Sequence, residues 1–199
     1  MTISKIVSCI VAGIVSSSAI ACASEPARKT ADAEPNEAGA SPADYVPLAV
    51  GNAWTYQVRS GGGTASDTVR IVGRDGAWFL DDHRGRMRFD RYGLRDASRY
   101  LLRGPLAAGK SWSSVEEMAV QRFEIVSTDA QIQTPAGRFE KCVVVKNSEP
   151  LEHGGVFITE WTYAPQTGLV ALRTRTVSIE GKEQEQLRLT LSKFERAAP

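Results

Sequence analysis

From Tyr45 to Phe194 the chain is written in short runs that alternate apolar and polar side chains, each ended by Gly, Asn, Asp or Pro. Successive side chains of an extended strand point to opposite faces, so a period of two buries one face and wets the other. Trp54-Thr55-Tyr56-Gln57-Val58 and Arg86-Met87-Arg88-Phe89-Asp90 have this form. Turn signals separate the runs: Gly61-Gly62-Gly63, Asp75-Gly76, Tyr92-Gly93-Leu94, Pro135-Ala136-Gly137, Gly154-Gly155, Gly168 and Glu180-Gly181. The pattern predicts an all-β domain over residues 44–196. It would be an antiparallel meander of about nine or ten strands, bent into a strongly curved sheet or half-barrel. Helical patterning is sparse, and Ser113–Ala119 reads as a turn of helix at most. Glu183–Leu191 is rich in helix formers, but Leu187, Leu189 and Leu191 fall at period two, which favours a strand.

One phrase occurs twice. Pro47-Leu48-Ala49-Val50-Gly51-Asn52-Ala53-Trp54 returns as Pro105-Leu106-Ala107-Ala108-Gly109-Lys110-Ser111-Trp112. It reads as a reusable corner: proline sets the entry, leucine tucks inward, glycine allows a positive φ, and tryptophan opens the next strand by burying a large ring.

Ahead of this domain the composition changes. Lys5 gives residues 1–21 a positive start and Ile6–Ile20 is a short apolar run, the form of a signal peptide and too short for a secure membrane span. The run ends in Ala19-Ile20-Ala21-Cys22, which resembles a bacterial lipobox. That resemblance implies cleavage before Cys22 and a diacylglycerol on its thiol. Ser24 stands where a retention signal would place aspartate, which implies an outer-membrane lipoprotein facing the periplasm. Ordinary secretion stays open, because Ala19-x-Ala21 and Ala21-x-Ala23 also satisfy the small-x-small rule. Residues 22–43 then form the expected lipid-attachment site and disordered linker. They are rich in Ala, Glu, Pro, Ser and Asp, without aromatics, and cannot bury enough apolar surface to offset ordering entropy.

Three further phrases carry a family resemblance: Tyr45–Trp54 as Tyr-x-Pro-Leu-x-x-Gly-x-x-Trp, Thr134–Cys142 as Thr-Pro-x-Gly-x-Phe-x-x-Cys, and Tyr163–Val170 as Tyr-x-Pro-x-x-Gly-Leu-Val. Together they resemble a broad group of uncharacterised bacterial lipoproteins and secreted proteins over residues 45–194. The resemblance implies a curved antiparallel sheet, similar in shape to the lipoprotein-localisation factors that hold acyl chains in an open half-barrel, and it transfers no catalytic residues.

Chemistry is hard to find. Beyond Lys5 the chain has 23 basic against 23 acidic side chains, so it lacks the field that gathers nucleic acid. Of three cysteines only Cys142 lies in the body, which excludes an internal disulfide there and any zinc spacing. In the apolar run Lys141–Val145 its thiol reads as buried and inert. His83 and His153 stand beside turn residues and read as exposed. No Gly-x-Ser-x-Gly elbow accompanies them, so a hydrolase has no visible nucleophile and base. The expectation is a non-enzymatic protein with no cofactor and no metal.

Two surfaces remain. Trp54, Tyr56, Phe89, Phe123, Trp161 and Leu189 are the expected lining of a concave side that accepts an apolar ligand or lipid. Between Asp67 and Lys110 lie ten basic residues against six acids, with Arg84, Arg86 and Arg88 as the expected basic face. It would be either a solvated edge that discourages aggregation or a contact for anionic lipid or an acidic envelope partner. A filled core with an adhesive surface, as in a subunit of an envelope complex, is the alternative to a carrier.

Overall fold

A computed structural model describes residues 40–116 and 119–197. The signal peptide, Cys22 and the linker as far as residue 39 lie outside them. Gly39–Pro199 is one compact unit. It opens with a helical turn, α1 (Pro42–Tyr45), three residues ahead of the onset of order expected at Tyr45. Ser41 makes that turn: its hydroxyl accepts from the Ala43 N–H, while Asp44 accepts from the Ser41 N–H at 2.7 Å. Proline at the first helical position is pre-set for the bend.

Twelve strands follow, against the nine or ten expected: β1 (Ala53–Ser60), β2 (Gly63–Asp75), β3 (Trp78–Asp81), β4 (Arg86–Asp90), β5 (Gly93–Arg95), β6 (Tyr100–Arg103), β7 (Ser111–Glu116), β8 (Ala119–Thr134), β9 (Gly137–Pro150), β10 (Val156–Ala164), β11 (Gly168–Val177) and β12 (Glu183–Glu195). The additional strands are short. β5 and β6 span three and four residues, below the length at which alternation can be read. Where the sequence allows a turn of helix, at Ser113–Ala119, the described residues Ser113–Glu116 are instead strand, because Ser113 and Ser114 pair with Arg122 and Gln121 of β8. Tertiary pairing overrides the weak local preference of two serines.

All pairings are antiparallel and the strands form one sheet, ordered β6-β5-β4-β3-β2-β1-β12-β11-β10-β9-β8-β7. Every strand lies beside its neighbours in the chain except at β6 and β7, and one pairing joins strands far apart in sequence. β1 pairs with β12 along its whole length, from Ala53↔Glu195 to Ser60↔Leu187. β6 and β7, which are consecutive, share no ladder and form the two edges. The sheet therefore bends past a half-barrel until those edges meet. Side chains join them: the Trp112 indole donates to the Tyr100 carbonyl at 3.1 Å, and the Ser114 hydroxyl to the Ser98 carbonyl at 3.2 Å.

The repeated phrase is the same corner built twice. In the first copy the Gly51 N–H donates to Ile71 O at 2.8 Å, the Asn52 N–H to Ala49 O at 3.1 Å, and the Ile71 N–H to Asn52 O at 2.9 Å. In the second the Gly109, Lys110 and Ile125 N–H groups donate to Ile125 O, Ala107 O and Lys110 O, at 2.8, 3.1 and 2.8 Å. Gly51 and Gly109 sit at φ +96° and +83°, where a side chain would be strained. Each corner drops a tryptophan into the interior and lays its isoleucine partner beneath: Trp54, Trp112, Ile71 and Ile125 are all buried. Of the positions where the copies differ, Asn52 against Lys110 changes the contacts. Asn52 is buried, donating to Pro47 O and accepting from the Ala197 N–H, both at 2.7 Å, which pins the end of β12 to the start of β1. Lys110 makes no equivalent tie among the described residues.

Asn52→Ala should therefore cost about 1–3 kcal/mol, since it leaves the part-buried Pro47 carbonyl and Ala197 N–H without this partner. Lys110→Ala should stay within about 0.5 kcal/mol of the parent. Urea midpoints of the two variants measure the difference; equal midpoints would show that the asymmetry is immaterial.

Candidate functional site

The expected ligand-lining side chains are core. Trp54, Tyr56, Phe123 and Leu189 keep 2–5% of their surface, Trp161 keeps 9%, and Phe89 is half-buried. Trp54 stacks on Phe194 with centroids 5.3 Å apart. Trp112 stacks on Phe123 at 5.7 Å, and Phe123 tilts against Trp161 at 5.9 Å. The Trp54 indole donates to Thr167 O at 2.5 Å and the Tyr56 hydroxyl to Leu169 O at 3.0 Å, so both polar tips are satisfied inside the fold. Side chains this inaccessible already touch protein on nearly every side. The rings pack in two groups, Trp54 with Phe194 on β1 and β12, and Trp112, Phe123 and Trp161 on β7, β8 and β10.

Arg99 lies among these rings. It belongs to the basic run of the sequence, yet the structure buries it to 5% exposure. Its guanidinium rests 5.3 Å from the centroids of both Phe123 and Trp161. Nη1 donates to Gln121 Oε1 at 3.2 Å, while Nε has no hydrogen-bond partner and stands 3.9 Å from Asp96. The Asp96 carboxylate shapes this loop by accepting from the N–H groups of Ser98 and Arg99, both at 2.8 Å. Thus the β5–β6 loop reaches across the seam and inserts a cation between rings carried by β8 and β10. Asp96-x-Ser98-Arg99 is the turn signal that marks the loop. Nothing in a linear reading brings Phe123 and Trp161 to it.

The titratable candidates stay apart. His83 is correctly placed beside a turn but is not exposed: its side chain retains 14% of its surface. Nε2 lies 3.5 Å from Asp67 and 3.9 Å from Asp82, and Nδ1 is buried without a partner. His153 is exposed. Cys142 is buried, and burial pushes its thiol up to about 11. Among the described residues no group of three or more His, Cys, Asp or Glu could hold a metal ion. No described helix is long and apolar enough to cross a membrane.

The outward side of β3–β6 differs from the filled interior. Cross-strand register places Arg86 opposite Leu80 and Arg88 opposite Arg95, while Phe89 meets Leu94 on the inner face. Arg86 and Arg88 both lie over the Trp78 ring, at 5.0 and 4.6 Å. Arg91 covers Tyr92, Arg95 covers Tyr100, and Arg103 lies 5.4 Å from both tyrosine rings. Among the described residues none of these five arginines forms an ion pair. Arg84 belongs to the neighbouring turn, exposed and at φ +67°. Asp90 shares the face. Burial pushes its carboxyl up, but the Tyr92 N–H, the Tyr100 hydroxyl and the Gly93 N–H outweigh that and hold it low, with Arg95 adding to the effect. Sequence alternation found Arg86 and Arg88. Arg91, Arg95 and Arg103 belong to the basic run, but alternation does not place them on the face, which they join through the short β5 and β6.

No protein-family model matches this chain, and no curated protein matches it. Two solved structures are similar in outline. One is a candidate lipoprotein of Parabacteroides distasonis, 13% identical, with a TM-score of 0.44 over 75% of this chain and 97% of its own. The other is a candidate exported protein of Bacteroides fragilis with a YmcC-like fold, 13% identical and with a TM-score of 0.44, covering 76% of this chain and 99% of its own. Nothing about the chemistry of this chain is drawn from either likeness.

Removing the latch should loosen the seam first. Arg99→Ala is expected to cost about 2–4 kcal/mol and to speed amide exchange in β6 and β7 more than in β1 and β12; uniform exchange across all four would show that Arg99 does not hold the edges. Alkali supplies a second check. The Cys142 thiol stays protonated in the fold beyond its ordinary value near 9, so the unfolded chain ionises first. Stability should be fully present below about pH 9 and fall as pH rises towards about 11, and Cys142→Ala should flatten that decline.

Proposed function

We propose that the chain is a non-enzymatic lipoprotein of the bacterial cell envelope, held at a membrane through Cys22, whose β-domain works by contact at its surface. The anchor is carried by the Ala19–Cys22 phrase and the leader before it, and these also support placement at the outer membrane, facing the periplasm. A secreted protein follows if Cys22 is not lipidated. The domain's role rests on one contrast. Its inner side is packed with its own rings, whereas its outer side presents five arginines, none in an ion pair among the described residues, with Asp90 as the one carboxylate sharing the face. A filled core with an unpaired charged face suits an interaction module better than an apolar carrier, whose cavity would need room for a tail. The reading assigns no cofactor, no metal and no nucleic-acid partner.

A carrier keeps one route, because the β6–β7 edges are joined by side chains alone and a ligand would enter there. Mass spectrometry of the protein from its native membrane separates the cases. The expected mass is that of the chain from Cys22 with a diacylglycerol thioether and no further adduct. A second amphiphile bound one to one under native conditions would restore the carrier, and an unmodified start at Ser24 would remove the anchor.

A further inference from the structure

We propose that the outward Arg–aromatic face of β3–β6 is a docking surface for bilayers containing anionic phospholipid; this deepens the surface-contact reading above and rests on it. The first reason is electrostatic. Arg88 and Arg95 stand directly opposite each other across β4 and β5, an arrangement that like charges make unfavourable. The same fold contains such a pair elsewhere and resolves it. Arg173 and Arg188 are also direct partners, across β11 and β12, and Glu185 lies between them, 2.9 Å from one guanidinium and 2.5 Å from the other. No carboxylate takes that position between Arg88 and Arg95. Arg95 turns its Nε to the Asp96 carbonyl at 3.1 Å, and the buried Nε of Arg88 has no acceptor. The one carboxylate on this face, Asp90, feels Arg95 but accepts its hydrogen bonds from Tyr92, Gly93 and Tyr100, so the two adjacent cations are left without an ion pair of their own and can take an external anion.

The second reason is the company these cations keep. Trp78, Tyr92 and Tyr100 lie beneath or between the guanidiniums, and Tyr92 and Tyr100 meet edge to face at 6.3 Å. Arginines laid across rings with polar tips suit the headgroup zone of a bilayer, where phosphate meets the cation and the ring lies at the boundary of the apolar layer. A compact acidic protein would satisfy the charge but has no particular use for two half-buried rings and an exposed one.

Third is where the anchored end joins the domain. α1 packs beside β5, and Pro42 Cδ lies 3.6 Å from the point where a Cβ on Gly104 would stand, with the Tyr92 carbonyl at 3.8 Å from the same point. The chain from Cys22 therefore enters the domain next to this face. The residues between Cys22 and Ser41 span at most about 65 Å. An anchor at Cys22 keeps the patch within that distance of the membrane.

The test uses the mature chain from residue 22 with Cys22→Ser, so that no acyl chain contributes. It is sedimented with vesicles of phosphatidylcholine alone or mixed with phosphatidylglycerol. Binding is expected for the mixed vesicles, weakening steeply with salt, and not for the neutral ones. R86E/R88E should lower the affinity at least tenfold, and so should the milder R86Q/R88Q if the double reversal fails to fold. Lys193→Glu, a charge change on β12 as large as that of R86Q/R88Q, should leave binding within about twofold of the parent. Absence of binding to mixed vesicles, equal binding to neutral ones, or equal losses in the patch and β12 variants would overturn the proposal. So would capture of an acidic envelope protein through Arg86 and Arg88 by a chain that ignores vesicles. An unmodified N-terminus in the native protein would remove the anchor while leaving this vesicle result to stand or fall by itself.

Discussion

The ladder between β1 and β12 is the constraint on which the rest of the structure depends. It joins the beginning and end of the domain over the whole of β1, from Ala53↔Glu195 to Ser60↔Leu187. Bringing such distant segments together costs loop-closure entropy before any contact offsets it, so the ends must be pinned well. Asn52 provides the pin, with one hydrogen bond to Pro47 and one from Ala197. Trp54, stacked on Phe194 across the same pair of strands, adds burial. Once the termini are paired, a meander has no edge at its ends. The unpaired edges move to the middle of the chain.

That displacement explains the seam. Two corners with the same three backbone hydrogen bonds begin β1 and β7, yet β1 has a full ladder on its far side and β7 has none. The chain passes from β6 to β7 through the second corner. What joins the two edges is the Trp112 indole on Tyr100, the Ser114 hydroxyl on Ser98, and Arg99 reaching over the gap to Gln121, Phe123 and Trp161. Gln121, the Asp96 carboxylate at 3.9 Å and the two rings hold the guanidinium from different elements, and its withdrawal would leave a gap among them, which makes it an effective bolt. It lies buried against inner rings, while the outer face of the sheet carries its charges in a different arrangement.

On that face the halves of the chain treat charge differently. β10–β12 carry arginines and glutamates in mutual contact, with Glu160 on Arg175 and Glu185 between Arg173 and Arg188. The Arg188 hydrogen bond, with Arg173 behind it, keeps the Glu185 carboxyl well below its ordinary value despite partial burial. β3–β6 carry arginines on rings instead. A cation over an aromatic face keeps its full charge, so the field of this half is directed outward, where the other half cancels its own.

Period-two alternation, Gly-centred turns and the doubled Pro…Gly…Trp corner are local features, and they were enough for an all-β meander, for β12 against helix, and for both buried tryptophans. The placing of Cys142 in the core was legible for the same reason: it stands in an unbroken apolar run. The leader and Ala19–Cys22 carry their meaning in the linear text alone. What the text could not contain was distance. β5 and β6 are too short to show a period, and Ser113–Glu116 became strand only because β8 lay alongside. His83 lost its exposure to neighbours brought up by other strands, and Arg99 reads like any other member of a basic run until Phe123 and Trp161 are folded against it. Local patterning determined which side of each strand faces inward, because neighbouring residues set it. Whether that inward side is hollow or filled, and which charges are left without partners, was decided by tertiary structure, because both depend on side chains far apart in the chain meeting at one point.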